Sequence, residues 1–379
     1  MTRVHFNALV IFVSAFSCYS HAALPSHQQI DSWLNSLGAD GKFDASKGID
    51  WGVMPGPFYT PELGIGLGAA VVGLYRPSPK DSVSQNSTVT LNTYASSTGA
   101  FGLTLDNHTF LAGDRQRFFI SGSLNNTPTW YWGSGFSSAR DNHRRQQYTD
   151  KTFALHPEWL TEFAPNSWLG LGWSLASMHA ARIQHKQKHT ITDERAGESV
   201  FSSGFATSLR YDTRDFIPNP RHGVLAQLGY AHFSPDTGSD SRFERYEAQL
   251  RSYFALGNMR ELAWETNGAF TQGNVPWNQL PSLGNSHRMR GYYEGRYRDR
   301  NTLSTQLEYR QKLNWRHGYV LWAGAGTMAS RWHGLTRNPW LPTVGTGYRF
   351  TFKPGFNVRL DYGLGKNSSG FYFQAGEAF

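Results

Sequence analysis

One cysteine, Cys18, occurs in 379 residues, and it lies in the apolar stretch at the N-terminus. The rest of the chain has no disulfide to form and no thiol chemistry to offer. After that stretch no apolar run approaches the roughly 20 residues a membrane-spanning helix needs, and mean hydropathy is −0.50. The signatures of catalysis are also missing: there is no Gly-x-Ser-x-Gly nucleophile elbow and no His-Glu-x-x-His zinc spacing. His179, His185 and His189 read as solvated histidines of a strand end and loop, and one Asp–His pair, Asp141 and His143, arises easily by chance. Neither an enzyme, a cofactor nor a metal is expected. Tandem repeats and low-complexity segments are absent as well. The formal charge is +8, or +7 once Arg3 is removed, but no basic helix or run accompanies it. That excludes a nucleic-acid partner and leaves anionic lipid headgroups or a basic lumen as its counterpart.

What is present begins with an export signal. Arg3 and His5 precede an apolar core from Ala8 to Phe16, and Ser20-His21-Ala22 offers a small-x-small cleavage site. Ala15-Phe16-Ser17 is a poor lead-in to a lipid-modified Cys18. Residues 1–22 are therefore expected to be removed. In 23–47, Ile30, Trp33, Leu34 and Leu37 recur at helical spacing, Ser26 and Gln29 suit a capping box, and Gly38 suits a stop. A short amphipathic helix follows from this, either plugging the fold or tethered to its rim.

From residue 48 to 379 the period becomes two. Val89, Leu91 and Ala95 oppose Thr88, Thr90 and Asn92; Leu169, Leu171, Trp173 and Leu175 oppose Gly170, Gly172, Ser174 and Ala176; Tyr246, Ala248, Leu250 and Phe254 oppose Glu247, Gln249 and Arg251. One face suits lipid and the other water, which is how a transmembrane barrel reads, and 15% aromatics with 39 glycines fit it. Sixteen strands are predicted at 48–57, 63–75, 87–97, 99–111, 115–125, 146–163, 166–185, 199–213, 222–234, 242–256, 258–271, 302–313, 318–328, 343–353, 355–364 and 371–379. An even count puts both ends of the barrel on the periplasmic side. It also makes the turns at Pro165-Asn166, Gly257-Asn258, Trp315-Arg316 and Lys353-Pro354-Gly355 periplasmic and short. The long connections near 126–145, 186–198, 272–301 and 329–342 become extracellular; 76–86 is the one long periplasmic turn. The predicted fold is an all-β, sixteen-stranded antiparallel transmembrane barrel preceded by a short helix.

The most specific segment is the loop His287-Arg288-Met289-Arg290-Gly291-Tyr292-Tyr293-Glu294-Gly295-Arg296-Tyr297-Arg298-Asp299-Arg300-Asn301. Its Arg290-Gly291-Tyr292 resembles the Arg-Gly-Phe/Tyr motif of the BamA/TamA-type superfamily, in the branch called bacterial surface antigen. Tyr211-Asp212-Thr213-Arg214-Asp215, followed by Pro220 and Gly223, resembles that family's Asp-Thr-Arg-Asp turn. Leu307-Glu308-Tyr309-Arg310 resembles its Glu-bearing strand, and Gly376-Glu377-Ala378-Phe379 resembles its terminal assembly signal. The four motifs occur in the family's order and cover residues 48–379.

The resemblance implies that the sixth extracellular loop folds back into the lumen and that Arg290, Gly291 and Tyr292 clamp it there. A guanidinium in a confined pore wants bidentate carboxylate partners, and Glu308 faces the lumen by pattern. The family's second acid lies in a Phe-x-Asp-x-Gly strand, where this chain has Trp322-Ala323-Gly324-Ala325-Gly326. Asp361 is the candidate substitute. Phe371, Phe373 and Phe379 belong to the terminal signal, with Phe379 expected in the interfacial aromatic girdle. Members normally carry periplasmic polypeptide-transport-associated domains or a patatin-like lipase domain, yet only about 25 residues separate the cleavage site from the first strand; such domains are expected to be absent or supplied by another chain.

The resulting expectation is a barrel in the outer membrane of a Gram-negative bacterium that assists protein insertion into, or translocation across, that membrane. Its partners would be outer-membrane lipids and either a periplasmic protein or an unfolded outer-membrane protein as substrate. A pore, a lipid-handling barrel, or an oligomeric envelope scaffold, including an in-membrane homodimer, stays open as the alternative.

Overall fold

The computed structural model describes residues 26–39, 42–60, 63–184, 191, 194, 196–314 and 316–379. The expected leader at 1–22, with Cys18, and the loop residues His185 and His189 lie outside them. Helix α1 (His27–Ser36) comes first, and its N-terminus is closed by a reciprocal capping box: Gln29 N donates to Ser26 Oγ, and Ser26 N to Gln29 Oε1. Leu37 caps its C-terminus, and Gly38, at φ +71°, ends it.

The wall follows as β1 (Ile49–Thr60), β2 (Gly64–Tyr75), β3 (Ser87–Ser96), β4 (Phe101–Leu111), β5 (Gln116–Tyr131), β6 (Gln146–Ala164), β7 (Ser167–Ala181), β8 (Ser199–Asp212) and β9 (Gly223–Phe233). It continues as β10 (Phe243–Ala255), β11 (Arg260–Gly273), β14 (Asn301–Asn314), β15 (His317–Ala329), β16 (Leu341–Lys353), β17 (Phe356–Gly365) and β18 (Ser368–Ala375). Two short strands, β12 (Ser282–Leu283) and β13 (Tyr297–Arg298), form a separate ribbon inside the loop between β11 and β14. A short helix, α2 (Phe136–Arg140), sits in the loop between β5 and β6.

The sixteen wall strands form one closed antiparallel barrel in sequence order, β11 lying beside β14 and β18 meeting β1. Large apolar side chains point outward, as on a lipid-facing surface: Ile65, Leu67, Leu171, Leu228 and Leu321 are all about half exposed or more. Every second residue faces a polar lumen. The one long connection at the short-turn end, 76–86, is held by Asp81, whose carboxylate accepts from Val83 N, Ser84 N, Ser84 Oγ and Gly113 N. Those bonds hold its carboxyl well below the usual carboxylate range.

Beyond small shifts of strand ends, four features differ from the pattern-based expectation. β5 runs on to Tyr131, because Asn126 to Tyr131 pair in register with Lys151 to Gln146; alternation fades there, but backbone pairing does not. β7 stops at Ala181. In β17, Tyr362 and Leu364 face outward, but Phe356 and Val358 are buried in a cluster that includes Leu34 of α1, with Ile30 packed against it. The fourth concerns the C-terminus. β18 ends at Ala375, and Phe379 is 5% exposed beside Tyr253. The last aromatic is therefore not in an interfacial girdle. Gly376, at φ +85°, turns the chain out of the wall, and the terminal segment packs among inward-facing residues.

Candidate functional site

Loop 274–300 enters the barrel from the end bearing the long connections. At its innermost point Arg290 is fully buried. Its Nη2 lies 2.5 Å from Glu308 Oε2 on β14, and its Nη1 lies 2.6 Å from Asp361 Oδ2 on β17. One guanidinium thus bridges two carboxylates on separate strands. Its flat face covers the indole of Trp322 on β15, with the guanidinium carbon 3.6 Å from the ring centroid. Trp322 stands on the strand where the resemblance calls for an acid, and the acid comes from β17 instead.

The neighbouring residues hold the loop backbone. Gly291 N donates to Tyr372 Oη at 2.9 Å, and Thr343 Oγ1 donates to the Arg290 carbonyl at 2.5 Å. Tyr292 Oη donates to Pro342 O at 2.6 Å and accepts from Lys366 N. Gly291, at φ +100°, lies so close to β17 that a Cβ would come 2.7 Å from the Gly363 carbonyl carbon. Only glycine permits both that conformation and that approach.

Charge is balanced over a wider network. Glu308 also accepts from Arg310 Nε (2.8 Å), and Asp361 from Arg349 Nη1 (2.5 Å) and Arg359 Nη1 (2.7 Å). Arg310 reaches Glu261 at 3.1 Å, and Arg349 Nε reaches Glu377 at 2.7 Å. Four guanidiniums (Arg290, Arg310, Arg349, Arg359) therefore face four carboxylates (Glu261, Glu308, Asp361, Glu377). Ions in a confined interior persist only when paired and hydrogen-bonded in this way. Glu377 is the member that the sequence pattern misses. Its one signal is an acid between Gly376 and Ala378 in a terminus read as a lipid-facing strand.

The terminal segment ties the network to the loop. Asn357 Nδ2 donates to Glu377, His287 Nδ1 donates to the Ala378 carbonyl at 3.0 Å, and Arg310 Nη2 donates to Phe379 O at 2.7 Å. Of the residues assigned to a terminal signal, Phe371 stays in the wall, paired with Tyr362 on one side and Tyr59 on the other. Phe373 turns inward with the strand end: a Cβ on Gly56 would lie 2.3 Å from its ring.

That inward turn leaves a thin seam. Among the described residues β1 meets β18 through one residue pair, Tyr59 with Phe371, whereas β1 and β2 pair from Ile49–Tyr75 to Thr60–Gly64. Toward the short-turn end the edge of β1 is taken by the N-terminal segment. Val53 N donates to Leu37 O at 2.8 Å. Arg316 anchors that segment through Asp31 (3.3 Å) and Ala39 O (2.6 Å), and Lys353 pairs with Asp50 at 2.9 Å beneath it.

The rest of the lumen holds a cavity that the terminal segment also lines. Its volume is about 900 Å³, and it is bounded by Thr90, Asn92, Thr104, Asp106, Ser123 and Asn125 on one side and by Arg210, Arg245 and Arg251 on the other. Elsewhere the Asp212-Thr213-Arg214 motif forms a compact pairing of its own: Arg214 grips Asp212 through two bonds, and Arg117 reaches Asp212 at 3.0 Å.

The family model described as the Omp85 superfamily domain matches residues 83–379. Among solved structures, a BamA from Haemophilus ducreyi lacking POTRA domains 1–3 is 14% identical, with a TM-score of 0.52, covering 86% of this chain and 69% of that one. CdiB from Acinetobacter baumannii is 10% identical, with a TM-score of 0.53 and coverage of 94% and 69%. CdiB from Escherichia coli is 11% identical, with a TM-score of 0.54 and coverage of 84% and 59%. At these identities the likeness is one of fold. No curated protein matches the chain.

Proposed function

We propose that this chain, which belongs to the Omp85 superfamily of outer-membrane barrels, assists proteins in inserting into or crossing the outer membrane by opening its β1–β18 seam. The observation that carries this reading is that, among the described residues, Tyr59–Phe371 is the one pair joining β1 to β18. A strand edge without a partner offers unused N–H and C=O groups, and an incoming strand satisfies them by edge pairing. In the closed state Leu37 O occupies part of that edge and β18 folds its end into the lumen. The loop clamp would hold the adjoining wall, from β14 to β17, rigid while the seam moves. A periplasmic protein or an unfolded outer-membrane protein would be the partner, and no bond of the substrate need be made or broken.

The test is a disulfide across the seam between Tyr59→Cys and Phe371→Cys. Locking the pair is expected to abolish assembly activity, with recovery on reduction. Full activity in the locked form would overturn the templating mechanism.

The lumen cavity favours a second reading, a loop-plugged pore. Deleting 285–299 would then raise conductance in planar bilayers. Unchanged conductance in a variant that still folds would remove that reading.

A further inference from the structure

The outer wall changes character at one height on β5 to β8. On β6 the outward-facing residues from Phe163 to Phe153 are mainly apolar, and both ends are well exposed, at 62% and 46%. Ten residue steps of about 3.3 Å at a tilt of about 40° cover roughly 25 Å, the height of a lipid-facing band. Leu124, Phe153 and Phe201 mark its upper edge, at 49%, 46% and 40% exposed.

The next row up is polar across four strands. Asn126 pairs with Lys151, Lys151 with His179, and His179 with Ser199. Lys151, His179 and Ser199 are exposed. His179 Nδ1 and Ser199 Oγ are 2.8 Å apart. Lys151 has no ion pair or hydrogen-bonding side chain among the described residues, so its ammonium lies above apolar wall with no counter-charge among them. The wall does not stop there. β5 and β6 continue paired to Tyr131 and Gln146, and exposed Arg145 follows, its guanidinium carbon 4.5 Å from the centroid of Trp130. Arg145 too lacks a carboxylate partner among the described residues. Six residue steps separate it from Lys151, a rise of about 15 Å along a tilted strand.

We infer that this face is a binding site for a phosphorylated glycolipid of the outer leaflet. Its acyl chains would lie on Leu124, Phe153 and Phe201. Lys151 would pair with a phosphate at the base of the headgroup, Asn126, His179 and Ser199 would meet sugar hydroxyls, and Arg145 would take a second anionic group higher up. The spacing decides the class of lipid. A glycerophospholipid headgroup sits at one level and reaches Lys151 alone, whereas a phosphorylated oligosaccharide spans both cations. A lysine at the headgroup boundary snorkels toward anionic groups, and each such cation near an anionic surface strengthens binding several-fold. Asp240, an acid near this row, is engaged with the Phe201 amide instead. This site is independent of the seam and of the assembly role.

The test uses the full-length barrel in detergent micelles doped with one lipid at a time: core-bearing lipopolysaccharide, the same lipid after enzymatic removal of its phosphates, or phosphatidylglycerol. Binding is read by native mass spectrometry. The phosphorylated glycolipid is expected to be retained in preference to both others, and Arg145→Ala with Lys151→Ala to weaken that retention about thirtyfold. Arg145→Lys with Lys151→Arg should preserve it. Heat-modifiable migration confirms that each variant is folded, and the wild-type comparison of the three lipids stands even if one is not. Equal retention of the dephosphorylated lipid or of phosphatidylglycerol, or retention unchanged by the double alanine variant, overturns the site. So does displacement of the glycolipid by equimolar inorganic phosphate, which would make it a plain anion site.

Discussion

A main-chain carboxylate oxygen of Phe379, the last residue of the chain, accepts from Nη2 of Arg310 at 2.7 Å, and the Nε of that arginine lies 2.8 Å from Glu308. The C-terminus is thus two bonds away from the acid that clamps Arg290. The loop, the terminal segment and the inner wall form one charged network, and the seam lies at its edge. Whatever frees the terminal segment also frees the inward end of β18, and that links the clamp to the seam.

Arg290 joins two buried acids, so its removal leaves both under-compensated. Arg290→Ala is expected to destabilise the folded barrel by about 3–5 kcal/mol, read as a lower temperature for loss of the heat-modifiable band. Arg290→Lys should recover only part of this, since one ammonium cannot hold two acids bidentately or stack on Trp322. A melting temperature equal to wild type in Arg290→Ala would show that the clamp is ornamental.

Glu377 supplies the fourth carboxylate. In Glu377→Gln the bond to Arg349 loses its charge assistance, worth about 1.5 kcal/mol or more. The terminal segment should then be released about tenfold more often, seen as faster carboxypeptidase trimming from Phe379. Trimming at the wild-type rate would show that Glu377 does not hold the tail.

Acid should loosen the docked loop. Burial, followed by the nearby Arg359 guanidinium, holds the His287 imidazole down to about 3, whereas in a released loop it titrates near its ordinary value of about 6.5. Between those values the released state binds the extra proton, so docking weakens as pH falls from 6.5 toward 3 and is constant above 6.5. Hydrogen exchange across 285–299 should quicken between pH 7 and pH 4.5, after correction for intrinsic rates. His287→Gln keeps a donor for the Ala378 carbonyl and should remove that dependence; the same dependence in the variant would assign it elsewhere.

The N-terminal helix covers the edge of β1 through an apolar contact. Leu34 is 6% exposed in a cluster with Val72, Phe352 and Val358. Leu34→Ala should weaken that docking by about 2 kcal/mol or more, with the Val53 amide exchanging correspondingly faster. If the assembly reading holds, the variant should also admit substrate at the seam more readily. Unaltered exchange at Val53 would show that Leu37 caps the edge without help from the helix.

Much of this was legible in the residues themselves. A period of two fixes which face of a strand meets lipid, and it sufficed for sixteen strands, their order and the short-turn end of the barrel. The capping box at Ser26 and Gln29 is a local bond and could be read locally. Glu308 and Asp361 could be named as inward-facing acids, because alternation sorts faces without knowing distances. What alternation cannot see is a strand leaving its sheet. The turn at Gly376 places Glu377, Ala378 and Phe379 inside rather than on the girdle, and the energy of that placement comes from Arg349, Arg310 and His287, which lie 28, 69 and 91 positions in sequence from the terminal residues they contact. Trp322 as the surface beneath Arg290, the single pair at the seam, and the polar row above the lipid band likewise arise from closure and register. Those bring distant strands side by side, and they are properties of the folded barrel rather than of any segment within it.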